Sequence, residues 1–141
     1  IIEWPKKQEN TLFEKKAISS YQSLKELMYH IMETEKYYLS ILNGTQEEYN
    51  PAISMNEVFA GMTEISKNLL NWVKDQTEES FLEIITLRRS PNVEHYTIAE
   101  LITHIINHST YHRGQLLALR HQLHLSEPPK IDFYRYLIAK K

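Results

Sequence analysis

His104-Ile105-Ile106-Asn107-His108-Ser109-Thr110-Tyr111-His112-Arg113-Gly114-Gln115, or HIINHSTYHRGQ, is the middle of a long predicted helix. Four residues of helix turn the chain about 400° and advance it roughly 6 Å. His108 and His112 therefore project from one face, one turn apart, and both imidazoles can reach a single cation. His30, on a second amphipathic segment, is the expected third ligand.

The apolar pattern extends this helix in both directions. Ile98, Leu101, Ile102, Ile105, Ser109, His112, Leu116, Leu119 and Leu123 recur at helical spacing, which predicts a helix from Ile98 to about His124. Ser109 and His112, the polar members of the stripe, fall in its middle. Thr97 followed by Glu100 marks its start, and Glu127-Pro128-Pro129 its end. The same start signal stands at Thr11/Glu14, Ser23/Glu26 and Ser54/Glu57. It predicts helices from Ser23 to about Asn43, closed by Asn43-Gly44, and from Met55 to about Gln76. A further match, Ser80/Glu83, leads only into FLEIIT, which alternates and is compatible with a short strand. Thr77 to Tyr96 thus reads as a small hairpin or an irregular crossover, with a turn at Arg88–Asn92. Residues 1–20 read as the tail of a first helix and a loop. IDFYRYLIAKK reads as a short terminal helix with Ile131, Tyr134 and Leu137/Ile138 inward.

A chain of 141 residues suits one domain, 1–141, with a hydrophobic core of its own. Only 3 Gly and 5 Pro favour long helices over a turn-rich β fold. Three or four amphipathic helices with one long crossover make an all-α four-helix bundle. With no Cys, disulfides and thiolate sites are excluded, so a transition-metal site has to use His and carboxylate. A net charge of −2 gives no electrostatic reason to expect nucleic acid or an anionic membrane as partner. No apolar run approaches the ~20 residues of a membrane span and no signal peptide is visible, so a cytoplasmic protein is expected.

A His pair four apart is, by itself, more often a hydrogen-bonded or surface pair than a metal site. Three features favour a site here. The pair lies on the inward stripe, where unpaired imidazoles are costly to desolvate. A third His, His30, lies at the margin of another inward face. Gly114, just past the pair, costs roughly 1 kcal/mol against Ala in mid-helix, which suggests close approach of a backbone or ligand. His104 is about 12 Å along the axis from His112, too far to share one ion, and is expected as a neighbour. Asn107, Tyr111 and Gln115 are candidates for orienting the imidazoles. His95, His121 and His124 need no catalytic role. Glu33 and Glu35 are more simply surface charges, although Glu35 falls on the stripe and is the one weak candidate for a catalytic base. There is no HExxH motif.

The residues so assembled resemble the DinB/YfiT-like superfamily. The likeness rests on NHSTYHRGQ (Asn107 to Gln115), on LMYHIMETEKYYLSIL (Leu27 to Leu42) and on PPKIDFYRYL (Pro128 to Leu137). It implies a four-helix bundle with a long crossover and a short C-terminal helix. It implies a divalent metal, nickel or zinc most often, held by His30, His108 and His112. The activities it implies are thiol-dependent: transfer of low-molecular-weight thiols such as bacillithiol, or a mycothiol-dependent isomerisation of a small molecule. Homodimers are frequent in that superfamily. Where its members often carry Gly after the long helix, this chain has His124-Leu125-Ser126.

Three neutral imidazoles leave a coordination position open, the arrangement of a catalytic rather than a structural ion. Since the chain has no Cys, a sulfur nucleophile has to come from a free thiol. Three functions compete: a thiol-transferase-like enzyme or a hydrolase sharing its ligand set, a non-catalytic metal-binding dimer linked to stress, and, against the charge balance, a nucleic-acid binder.

Overall fold

The computed structural model describes residues 10–16, 20–45, 54–89, 91–126 and 137–138. Three of the sequence's start signals open its three long helices: α1 (Leu24–Leu42), α2 (Met55–Lys74) and α3 (Ile98–Gln122). Ser54 and Thr97 form full capping boxes. The Ser54 Oγ accepts from the Glu57 N–H at 3.3 Å, and Glu57 accepts from the Ser54 N–H at 2.7 Å. Thr97 and Glu100 repeat this at 3.2 and 2.8 Å. Ser23 caps α1 through the Glu26 N–H at 3.2 Å, but the Glu26 carboxylate reaches the Gln22 N–H instead of closing the box.

α1 is the shared helix of the fold. Its apolar residues Leu24, Leu27, Met28 and Ile31 are buried against α2, against the C-terminal half of α3 and against Phe13 from a short 3₁₀ turn (Asn10–Glu14). From α2 come Met55, Val58, Phe59, Met62 and Ile65, and from α3 come Leu116 and Leu119. α1 and α2 approach closely at Gly61, where a Cβ would lie 2.5 Å from the Met32 Sδ. Further along α1, Tyr38 joins Leu101 and Ile105 of α3 in a second cluster.

That second cluster is roofed by a hairpin, and here the all-α expectation is corrected. Residues 84–97 form two antiparallel strands, β1 (Ile84–Arg89) and β2 (Asn92–Thr97). A 3₁₀ turn, Glu79–Leu82, leads into them. The long crossover is therefore a small sheet. Its β-branched and aromatic residues alternate, so Ile85, Leu87, Glu94 and Tyr96 share one face. Leu87 is buried in the second cluster with Ile85 and Tyr96 packed beside it, which is the tertiary burial that a short alternating run needs to hold as strand.

Among the described residues there are three long helices, not four, so the four-helix bundle is not established. Most of the expected N-terminal helix and of the C-terminal helix lies outside the described residues. Of the latter, Leu137 and Ile138 are helical but exposed, which corrects their inward assignment: nothing described covers them. No described helix is long and apolar enough to cross a membrane.

α1 and α3 end in the same way with different residues. After α1, the Thr45 N–H bonds to the Ser40 C=O at 2.8 Å and the Gly44 N–H to Ile41 at 3.0 Å, with Gly44 at φ +66°. After α3, the Leu125 N–H bonds to Arg120 at 3.2 Å and the His124 N–H to His121 at 3.4 Å, with His124 at φ +53°. Both are Schellman ends, but the second places a residue with a Cβ in the left-handed region. We expect His124→Gly to raise the unfolding free energy by up to about 1 kcal/mol, part of the relieved strain being offset by a more flexible unfolded chain. Urea denaturation of the two proteins measures it; a less stable variant would refute the strain.

Candidate metal centre

The seam between α1 and α3 is apolar at both ends and polar in the middle. There the structure brings together His30, His108 and His112. The His30 Nε2 lies 3.2 Å from the His108 Nε2, and the His112 Nε2 lies 3.1 Å from the same atom. The three ligand nitrogens all lie within 4.8 Å of one another. The ring centroids are 4.3 Å apart for His108 and His112, and 4.7 Å for His30 and His112. His30 reaches the cluster because it lies at the edge of the apolar face of α1, one turn beyond Leu27 and just before the buried Ile31 and Met32. His108 and His112 reach it by their spacing on α3.

The donor set fits a cation. The His112 Nδ1 lies 2.7 Å from the Gln115 Oε1, while the Gln115 Nε2 donates to the Tyr111 hydroxyl at 3.1 Å. An amide oxygen only accepts, so the proton of neutral His112 sits on Nδ1 and its Nε2 presents a bare lone pair. The His108 Nε2 has one proton at most, so it cannot satisfy both neighbours by donation. The His108 Nδ1 is buried with no hydrogen-bond partner among the described residues. Two imidazole nitrogens bound to one tetrahedral ion at about 2.1 Å are themselves about 3.4 Å apart, close to the spacing seen here. One divalent cation would turn three crowded lone pairs into ligands.

Electrostatics point the same way. Burial lowers the pKa of His108 to about 4, with the neighbouring His112, His30 and His104 charges adding to the effect. Burial, then His112, also lowers that of His30. Both imidazoles are therefore neutral near pH 7, the form that ligates.

Around the three rings stand groups that the sequence reading did not find. The Tyr21 ring is 5.0 Å from His30 and 5.5 Å from His112. It precedes the cap of α1, where no periodicity marks it. Of the orienting candidates, Gln115 holds His112, Tyr111 holds Gln115, and Asn107 is exposed. His104 stays outside the three-ring set, its centroid 5.7 Å from that of His108 and 5.0 Å from that of Tyr38. His95 bonds with Thr86 on the hairpin, while His121 and His124 stand at the far end of α3. The close approach of a backbone inferred at Gly114 is not found among the described residues, where a Cβ would meet no atom within 4 Å.

Glu33 is half-exposed, whereas Glu35 is buried, and this corrects the reading of Glu35 as surface charge. It accepts a hydrogen bond from the Ser109 Oγ at 2.5 Å. Burial raises its pKa, opposed by the Ser109 bond and by Arg113. Glu35 thus ties α1 to α3 at the residue next to His108.

The comparisons with known proteins agree with this architecture. The DinB family model matches residues 7–140. Protein DinB of Bacillus subtilis (strain 168) is 28% identical over 151 residues, covering 86% of this chain and 87% of that protein. Two solved structures share the fold. A DinB-like protein from Bacillus cereus ATCC 10987 has a TM-score of 0.70 at 16% identity, covering 92% of this chain and 87% of its own. A DinB-like protein from Bacillus subtilis has a TM-score of 0.70 at 18% identity, covering 92% and 88%.

The raised pKa of Glu35 has a measurable sign. Protonation is favoured more in the fold than in the unfolded chain, so its contribution is complete below the ordinary carboxylate range and is lost as pH rises through the raised value. Glu35→Gln keeps an acceptor for Ser109 and does not titrate. The variant should gain melting temperature relative to the parent as pH rises above the ordinary carboxylate range, from about pH 4 upward. Parallel profiles would contradict the burial of an ionisable carboxyl at this seam.

Proposed function

We propose, from the premise that this chain belongs to the DinB family, that His30, His108 and His112 hold one divalent cation, nickel or zinc, and that the centre serves a thiol-dependent reaction on a small molecule. The observation that carries the reading is the meeting of three imidazoles at the His108 Nε2, with His112 locked by Gln115 in the tautomer that ligates. Held by these three imidazoles, such a cation would lower the pKa of a coordinating thiol and would supply a thiolate near neutral pH. The chain has no Cys, so the thiol is a separate small molecule, of which bacillithiol is the type the family likeness suggests. The same reading takes the protein as a cytoplasmic homodimer.

The chain's own residues supply the rest. His30, His108 and His112 leave the remaining coordination positions open, since no fourth His or carboxylate joins the cluster among the described residues. Tyr21 and Tyr111 stand beside His112, their centroids 5.5 and 5.0 Å from its own, and give the centre aromatic walls. Glu35 is engaged by Ser109, so we assign it to positioning α1 on α3 rather than to proton transfer.

Elemental analysis of untagged protein should find about one divalent ion per chain, and His30→Ala, His108→Ala and His112→Ala should each abolish it while His104→Ala retains it. Full occupancy in any of the three variants would overturn the ligand set. Gln115→Leu should weaken metal binding about 10–100-fold, read by competition with a chelating dye, because it frees the His112 tautomer. A thermal-shift screen of free thiols on the loaded protein then separates the enzyme from a bundle that only binds metal. Stabilisation by metal with no thiol response and no turnover supports the latter.

A further inference from the structure

One helical turn before His108, α3 and the hairpin enclose a second cavity of about 360 Å³. Its apolar floor is Leu87 and Leu101, both buried. Tyr38 and Tyr96 give it two aromatic sides, and the His104 ring, 5.0 Å from that of Tyr38, separates it from the imidazole cluster. Two carboxylates, Glu94 and Glu100, complete the lining, and no Lys or Arg is among the described residues that line it. Each carboxylate is fixed by its own partner. The Tyr96 hydroxyl donates to the Glu94 Oε2 at 3.0 Å. Glu100 is held by Thr97 at the start of α3, and the Thr97 backbone N–H, then its hydroxyl, keeps it below the usual carboxylate range.

We propose that this cavity is a binding site for a small organic ammonium cation. Aromatic faces, fixed negative charge and an apolar floor are the combination that recognises a quaternary or alkylated ammonium, whose methyl groups prefer an apolar wall and whose charge attracts ring faces and carboxylates. The aromatic and apolar walls, Tyr38, Tyr96, Leu87 and Leu101, offer a hydrated mineral cation no carboxylate or carbonyl ligand and suit an alkylated cation better. Nor does an anion suit a cavity lined by two glutamates. A neutral apolar molecule could use the floor but would gain nothing from the Glu94 carboxylate. The α3 N-terminus already balances part of the Glu100 charge, so Glu94 carries the larger share of the attraction. The site stands whether or not the three histidines hold a metal.

The test uses the full chain, titrated with tetramethylammonium chloride and, in parallel, with tert-butyl alcohol as the neutral molecule of similar shape. Ionic strength is held constant, and binding is followed through the Leu87 methyl and Tyr96 ring resonances. Tetramethylammonium should shift both signals saturably and bind at least about tenfold more tightly than the alcohol, and Glu94→Gln should weaken it by about tenfold with the alcohol unaffected. Glu100→Gln, which retains the helix cap because Gln serves at that position, is the second variant and should weaken binding to a smaller degree. Equal affinity for the two probes, shifts outside the cavity, or a Glu94→Gln protein that binds the cation as tightly as the parent overturns the proposal.

Discussion

The apposition of α1 on α3 is the constraint from which the rest of the structure follows. His108 and His112 are joined by one turn of a single helix, so their spacing is guaranteed by backbone geometry alone. His30 has no such guarantee. It meets them only because α1 is fixed in both rotation and height against α3. Apolar packing by Leu27, Ile31, Leu116 and Leu119 fixes the rotation. Tyr38 with Leu101 and Ile105 anchors the far end of the seam. Between them the bond from Ser109 to Glu35 is directional and tolerates little sliding, because a displaced helix would leave a buried carboxyl without its donor. Hydrophobic contact brings the helices together, and a polar contact one residue from His108 sets the register.

That register brings polar groups into a partly dry seam, which calls for a compensating return. Three imidazoles facing one another gain little as neutral rings, and the buried His108 Nδ1, which has no partner among the described residues, is a further loss. Ordinary selection for stability would replace such a group with Leu. The arrangement makes physical sense when the rings have a common partner. Gln115 gives independent support, because it orients His112 without contributing to the core.

Much of this was legible in the sequence, and the limits of that reading are physical. The starts of α2 and α3 were readable because a capping box is local chemistry, completed within four residues. The pair on α3 was readable because helical spacing is local too. The inclusion of His30 needed a further inference about which face of α1 turns inward, and the unbroken stripe of Leu24, Leu27, Met28 and Ile31 supplied it. The hairpin was only half legible: a six-residue strand offers three inward positions, too few to distinguish it from an irregular crossover before Leu87 is seen to be buried. Tyr21 lies in an aperiodic stretch, and its place beside His30 follows from how the chain enters α1. At Gly114 the backbone half of the inference fails for the opposite reason. A mid-helix glycine is usually retained for contact, and here the space beside it is open. Gly61, equally in mid-helix, carries the same signal and does sit at a close helix crossing.

The hairpin also explains why the polar stretch of α3 extends past the imidazole cluster. Without strands over it, the helix face at Leu101 and Ile105 would be open to water. The sheet covers that face with Ile85 and Leu87 and turns Glu94 and Tyr96 toward the helices, because the pleat alternates and Leu87 is paired with Glu94 across the strands. A two-stranded sheet is marginal by itself, so it holds only while its inner face is packed on α1 and α3. Hairpin and helix pair are therefore mutually dependent. The seam that sets His30 against its partners also supports the roof of the neighbouring cavity, and loosening Tyr38 at their junction would disturb both.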